Sequence, residues 1–173
     1  MTFSIYDATV PVFANGLTTM RAWLDKAAAE KPEVDLIDAR LASDMRPLTA
    51  QFQMASDTAK NAIGRLSGIE APSMADTEAS FAELRERCDR TIAFIQSIDP
   101  AIIAASSDRE VLLKLPNGTG WRFTGSDYVT RFALPNFFFH VTTAYAILRA
   151  AGVPLGKPDF LQHLGSPGPI GEA

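Results

Sequence analysis

The sequence predicts an all-α protein, a bundle of four long helices into which one small β-hairpin is inserted. Apolar residues recur at three- and four-residue spacings, typical of amphipathic helices, in four stretches: residues 4–30, 45–67, 77–98 and 126–151. Near residues 110–124 the spacing changes to two, which is typical of strands. Residues 1–173 fit a single domain, and we expect its Gly- and Pro-rich tail, residues 164–173, to be loose.

The composition is that of an ordinary globular protein, and it excludes several classes of partner. With 47% hydrophobic residues and a net charge of −4, the chain has no basic footprint for nucleic acid or anionic lipid. No apolar run approaches the ~20 residues of a membrane span, and the N-terminal stretch lacks the pattern of a secretory signal. The single cysteine, Cys88, suits a reducing compartment. We therefore expect a cytoplasmic protein with no nucleic-acid and no membrane partner.

The first two helices are recognised by their apolar faces and by the residues that end them. The face of the first helix consists of Val12, Phe13, Leu17, Met20, Trp23, Leu24 and Ala27. Pro32 ends this helix, because proline restricts the residue before it to extended conformations. The face of the second helix consists of Leu48, Phe52, Ala55, Ala59 and Leu66. Gly68 is a natural C-terminal stop for the second helix.

The third helix combines an apolar stripe with a run of charges. Its stripe consists of Phe81, Leu84, Cys88, Ile92 and Ile95. The charged run consists of Arg85, Glu86, Arg87, Asp89 and Arg90. We expect this run to face water, as charge runs on amphipathic helices commonly do.

The hairpin and the last helix follow. Val111 and Leu113 alternate with polar or outward positions, residues 116–120 form a turn cluster, and Trp121 and Phe123 alternate again. The last helix then has a core stripe of Phe137, Val141, Ala144, Tyr145 and Leu148. Phe137, Phe138 and Phe139 point ~100° apart on a helix, so they cannot all face one core. We expect one of them to face a partner, the hairpin or a docked tail.

Four stretches of the chain resemble one uncharacterised bacterial domain-of-unknown-function family, DUF1993, which is grouped with the DinB/YfiT-like metalloenzyme superfamily. They are "SIYDATVPVF", "DMRPLTAQFQMASDTAKNAIGRLSG", "DREVLLKLPNGTGWRFTGSDYV" and "ALPNFFFHVTTAYAILRAAGVPLGKPDFL". The resemblance covers nearly the whole chain in order. It implies a DinB-like four-helix bundle with up-down-down-up topology. The family itself has no established activity, so the resemblance implies a fold rather than a reaction.

The resemblance to this superfamily also implies a divalent metal held by three histidines, one on the second helix and two that lie one turn apart on the fourth. This chain departs from that pattern. His140 stands where a fourth-helix histidine is expected, but Asn136 lies four residues before it and Ala144 four residues after it. The second helix has no histidine, and Gln53 or Asp57 is its nearest candidate. We therefore expect a degenerate metal site without a cofactor; the alternative is a divalent metal such as zinc or nickel, weakly bound through His140.

Three interpretations of His140 remain open: a hydrogen-bonded structural histidine, a residue of a ligand pocket, or part of an intact catalytic metal site. We expect a polar pocket between the second and fourth helices, formed by His140, Asn136, Asp57 and Gln53. A nearby Asp57 would raise the pKa of His140 and burial would lower it, so the sequence leaves the direction open. Asp57 alternatively lies in solvent and pairs with Lys60 or Arg65.

Two functions follow from these interpretations. The first is a non-catalytic or small-ligand-binding protein with a degenerate metal site. The alternative is a metal-dependent hydrolase or thiol-transferase that uses His140 with non-histidine ligands; its catalytic residues are unknown. A homodimer is expected in either case, because one small bundle does not cover all of the apolar residues Leu112, Trp121, Phe123 and Phe139.

Overall fold

The computed structural model of the protein describes residues 3–168 and 170. Their elements, in chain order, are α1 (Val10–Glu30), α2 (Glu33–Leu36), α3 (Leu48–Ser67), α4 (Phe81–Ser97), α5 (Pro100–Ala104), β1 (Val111–Lys114), β2 (Gly120–Phe123), α6 (Gly125–Tyr128), α7 (Leu134–Ala150) and α8 (Lys157–Phe160). A π-helical segment, Val129–Ala133, joins α6 to α7, and a short 3₁₀ helix, Gln162–Leu164, follows α8. The predicted helical fold with one hairpin is therefore confirmed. Of the tail that we expected to be loose, residues 169 and 171–173 lie outside the described residues.

The four long helices enclose the hydrophobic core. Helices α1 and α3 each pack against both α4 and α7, so that the contacts form a ring. Each helix contributes a fully buried aromatic ring, and these rings belong to Phe13, Phe52, Phe81 and Phe137. Burial of one such side chain stabilises the fold by roughly 1.5–3 kcal/mol. These contacts support a four-helix bundle, whereas the up-down-down-up order of helix directions stays a prediction.

The first helix begins later than the apolar period indicated. Its predicted start near residue 4 is wrong, because α1 begins at Val10. The backbone N–H and the hydroxyl of Ser4 both donate to the Asp7 carboxylate, at 2.9 and 2.8 Å, and close a turn before the helix. Proline is favoured in the first turn of a helix, and Pro11 occupies that turn. The apolar residues of this turn continue the helical spacing without being part of the helix.

The third long helix, α4, also begins later than predicted, at Phe81. Ser80 caps it by accepting a hydrogen bond from the Glu83 N–H at 3.2 Å. The Glu83 carboxylate in turn accepts a hydrogen bond from the Ala79 N–H at 2.7 Å. This reciprocal arrangement of a serine and a glutamate three residues later fixes the start of the helix.

The hairpin lies with one face against the helices. Strands β1 and β2 are antiparallel, and Leu113 is directly opposite Trp121. Leu113 is buried, but Trp121 is 54% exposed although it stands on the same face. Phe123 is partly covered, since its ring lies 6.0 Å from that of Tyr128.

Two properties of the helices bear on function. Cys88 is fully buried in the core, and burial raises the pKa of its thiol to about 12, which leaves it unreactive. Within the described residues, none of the helices has both the length and the apolar character needed to cross a membrane.

Candidate ligand-binding groove

A small groove opens between α3 and α7, beside the hairpin and the Tyr128 ring. It has a volume of about 200 Å³ and is lined on the α3 side by Asp57, Thr58, Asn61 and Arg65, among others. Asn136 and His140 line its α7 side, one helical turn apart. Asp57, Asn136 and His140, which we expected to share a pocket, therefore lie around one cavity.

A hydrogen bond to a side-chain amide orients the His140 ring. Its Nδ1 lies 2.9 Å from Oε1 of Gln51 on α3. The other end of the Gln51 amide is occupied, because its Nε2 donates to the Arg46 carbonyl at 3.0 Å. This second bond fixes the amide orientation, so that an acceptor oxygen faces His140. The proton of the neutral imidazole must then lie on Nδ1, and Nε2 carries an unshared lone pair.

The charge state of His140 follows from its burial. The residue is only 8% exposed. Burial lowers the pKa of the imidazole below its usual value of 6.5. Within the described structure no carboxylate hydrogen-bonds to the ring to oppose this effect. The shift of the His140 pKa, whose direction the sequence left open, is therefore downward, so the neutral imidazole predominates at pH 7.

Asn136 extends the polar wall of the groove. Its Nδ2 donates to Oγ1 of Thr58 at 2.7 Å, and the Thr58 hydroxyl donates to the Met54 carbonyl at 2.6 Å. These two bonds orient the Asn136 amide. Among the described residues no donor occupies its Oδ1. Asn136 therefore offers the groove a second acceptor beside His140 Nε2.

Asp57, although it lines the groove, is paired with cations of α3 and α4. Its Oδ1 lies 2.7 Å from Nη2 of Arg87 and 3.1 Å from Nζ of Lys60. The prediction that Arg87 faces water is wrong, because its side chain is 1% exposed and also binds Asp76 and Glu78. Two cations therefore compensate the Asp57 carboxylate, which forms no hydrogen bond to His140 among the described contacts.

Gln53, the fourth residue expected in this pocket, points elsewhere. Its Nε2 donates to Glu78 at 2.9 Å, on the side of α4. Gln51 takes the place that we expected Gln53 to fill. The missed signal was a stripe on α3 with alternating three- and four-residue spacing, which consists of Gln51, Met54, Thr58, Asn61 and Arg65. Such spacing places these five residues on one face, toward α7 and the groove.

The residues at this position do not fit the three-histidine metal centre that the resemblance implies. Within the described part of the chain, no group of three histidine, cysteine, aspartate or glutamate side chains is placed to hold a metal ion. The neighbours of His140 are an amide, a hydroxyl and a second amide, which are poor ligands for zinc or nickel. The compensated carboxylate of Asp57 does not complete the set.

Comparison with known proteins finds a matching family model and a similar solved structure for this chain. The family model described as "Domain of unknown function (DUF1993)" matches residues 5–161. A solved structure, that of a DinB family member protein from Shewanella denitrificans, is similar over 95% of this chain and 95% of its own, with 37% sequence identity and a TM-score of 0.85. No curated protein matches the chain.

Proposed function

The chain belongs to the DUF1993 family and has a DinB-like fold, and from this premise we propose that it is a small-ligand-binding protein with a degenerate metal site. One observation carries the proposal. The Gln51 amide holds His140 so that its unprotonated Nε2 is left for the groove. In this proposal a ligand donates a hydrogen bond to that nitrogen at the position where a metal would stand in a three-histidine site.

The lining of the groove supports a polar ligand. His140 Nε2 and Asn136 Oδ1 are acceptors, whereas the Asn61 amide and the Arg65 guanidinium are donors along α3. Arg65 is itself held by a 3.0 Å bond to the Tyr128 hydroxyl. The volume of about 200 Å³ is below the ~300–1,000 Å³ of sites for drug-sized ligands. We therefore propose a small polar metabolite that carries at least one hydrogen-bond donor.

The alternative is a metal-dependent hydrolase or thiol-transferase that uses His140 with non-histidine ligands. Its best support is the Nδ1–H bond to an amide oxygen, since metal-bound histidines commonly donate their second nitrogen in this way. Against it, the carboxylate that lines the groove, Asp57, already pairs with Arg87 and Lys60. Elemental analysis of protein purified without an affinity tag separates the two proposals. Near-stoichiometric zinc, nickel or iron would favour the enzyme.

Ligand binding is tested by equilibrium dialysis against a mixture of small polar metabolites, with mass spectrometry of the retained compounds. We expect wild-type protein to retain a compound that both His140→Phe and Asn61→Leu release. Asn61→Leu leaves the His140–Gln51 bond intact, so it separates loss of binding from loss of folding. Gln162→Phe, at an exposed residue that does not line the groove, is the control and should retain the compound. Equal retention by all four proteins, or by none, would contradict the proposal.

A further inference from the structure

A second cavity lies on a different face of α7, between α1 and the C-terminal segment. It has a volume of about 300 Å³, and its walls are mostly apolar. Val12 and Gly16 of α1 face Phe138 and Val141 of α7 across it. Phe160, Leu161 and His163 of the C-terminal segment form the remaining wall. No residue of this cavity belongs to the groove at His140.

Specific contacts hold the C-terminal wall in place. The Trp23 indole N–H donates to the Asp159 carbonyl at 3.1 Å. The Lys26 ammonium lies 2.7 Å from the Asp159 carboxylate. The Phe160 ring lies 5.5 Å from the Trp23 ring and 5.9 Å from the Tyr145 ring. One hydrogen bond, one ion pair and two aromatic contacts therefore hold Asp159 and Phe160, and with them the C-terminal wall, against the bundle.

The cavity contains one polar group with a distinctive environment, the Thr19 hydroxyl. Thr19 lines the cavity and is only 2% exposed. Three buried threonines in other helices, Thr58, Thr91 and Thr143, donate to the carbonyl four residues earlier, as Thr143 does to Phe139 at 2.6 Å. Within the described residues the Thr19 hydroxyl makes no hydrogen bond. A hydroxyl without a partner in the wall of a cavity is available to a polar group that enters the cavity.

We propose that this cavity is a second ligand site, which takes a small uncharged molecule with an apolar body and one hydroxyl or carbonyl group that pairs with Thr19. The apolar walls match the body of such a ligand. No aspartate, glutamate, lysine or arginine side chain lines the described cavity, which disfavours an ionic ligand. An apolar cavity of about 150 Å³ binds benzene in another protein, so a cavity of about 300 Å³ accommodates a two-ring molecule.

The probes that test this site are 1-naphthol and naphthalene, which differ by one hydroxyl group. Each is titrated into methyl-labelled protein and followed by NMR spectroscopy. We expect saturable shifts at the methyl groups of Val12, Val141 and Leu161 with both probes. Thr19→Val keeps the shape of the side chain but removes the hydroxyl. This variant should weaken the affinity for 1-naphthol by roughly two- to tenfold, the range expected for one hydrogen bond, and leave the affinity for naphthalene unchanged.

Two further variants keep the test decisive. Val12→Phe and Leu161→Trp fill the cavity from opposite walls, and whichever variant folds should abolish the shifts with both probes. Asn61→Leu, in the groove beside His140, should leave both titrations unchanged. The proposal is overturned if neither probe shifts the three methyl groups, or if the filling variants still bind. It is also overturned if Thr19→Val weakens the affinity for naphthalene as much as the affinity for 1-naphthol.

Discussion

Gln51 and His140 join α3 to α7 through a 2.9 Å contact between Oε1 and Nδ1. The contact is buried. Because the Gln51 Nε2 donates to the Arg46 carbonyl, Gln51 Oε1 is the acceptor in this contact and His140 Nδ1 is the donor. It therefore determines which imidazole nitrogen carries the proton. Both the stability of this helix pair and the chemistry of the groove depend on it.

Replacement of Gln51 tests the structural part of this relationship. Gln51→Met keeps the length of the side chain but leaves the His140 Nδ1–H without its acceptor. We expect the free energy of unfolding to fall by about 1–3 kcal/mol, the cost of an unpaired buried donor. Urea denaturation measures the change. Gln53→Met, two residues along the same helix, is the control and should lower the free energy of unfolding by less, because Gln53 is partly exposed and its partner Glu78 keeps the bond to Arg87. Equal effects of the two variants would contradict the assignment.

Replacement of Arg87 tests the network that holds Asp57. Arg87→Met removes a buried guanidinium and leaves Glu78, Asp57 and Asp76 close together without it. We expect a loss near the lower end of about 3–5 kcal/mol, because Asp57 and Asp76 are partly solvated. Arg85→Met is the matched control, since Arg85 pairs with a 70% exposed Asp25 on the surface. Its loss should be about 0–1 kcal/mol in urea denaturation. A loss of that size at Arg87 would show that the network adds little.

Association into a homodimer stays a prediction that exposure supports. Trp121 is 54% exposed, Phe139 57% and Leu112 41%. Such apolar surface commonly marks a contact with another molecule. We expect light scattering at micromolar concentration to give the mass of two chains, and Phe139→Ser to reduce it. Val34→Ser, at an exposed apolar residue of α2, should leave the mass unchanged. A monomeric wild-type protein would count against the dimer.

The fold was predictable because its main signals are local. Apolar spacing marked all four long helices, and strict alternation marked the hairpin. Helix starts were less predictable, because apolar residues in the Ser4–Asp7 turn continue the period of α1 without joining the helix. Only the structure distinguishes a turn that packs against the core from the first turn of the helix.

The groove was predictable in part. His140 and Asn136 were found from their place on the last helix, whereas Gln51 was missed in favour of Gln53. The rotation of α3 about its axis decides between them, and a stripe rich in alanine allows more than one rotation. Arg87 was predicted to face solvent, because runs of charged residues on helices usually do. Its burial depends on Asp76 and Glu78 in the preceding linker, a contact without a periodic signal.

The pH dependence of stability provides a further consequence of the His140 environment. Because burial lowers its pKa from 6.5, the unfolded chain binds more protons than the folded chain below that pH. Stability should therefore fall as the pH decreases through 6.5, and this contribution should level off below the folded pKa. The slope should be smaller in His140→Phe than in wild type when urea denaturation is repeated across this window. An identical slope would contradict the assignment.

The most direct test of the central claim, that His140 presents an unprotonated Nε2 to the groove, is ¹⁵N NMR spectroscopy of the protein with labelled histidine. At pH 7 we predict a proton-coupled Nδ1 and a Nε2 with the chemical shift of an unprotonated nitrogen. In a pH titration, the midpoint for protonation of Nε2 should lie below pH 6.5. A proton on Nε2 at pH 7, or an Nε2 bound to a metal ion in protein purified without an affinity tag, would contradict the account.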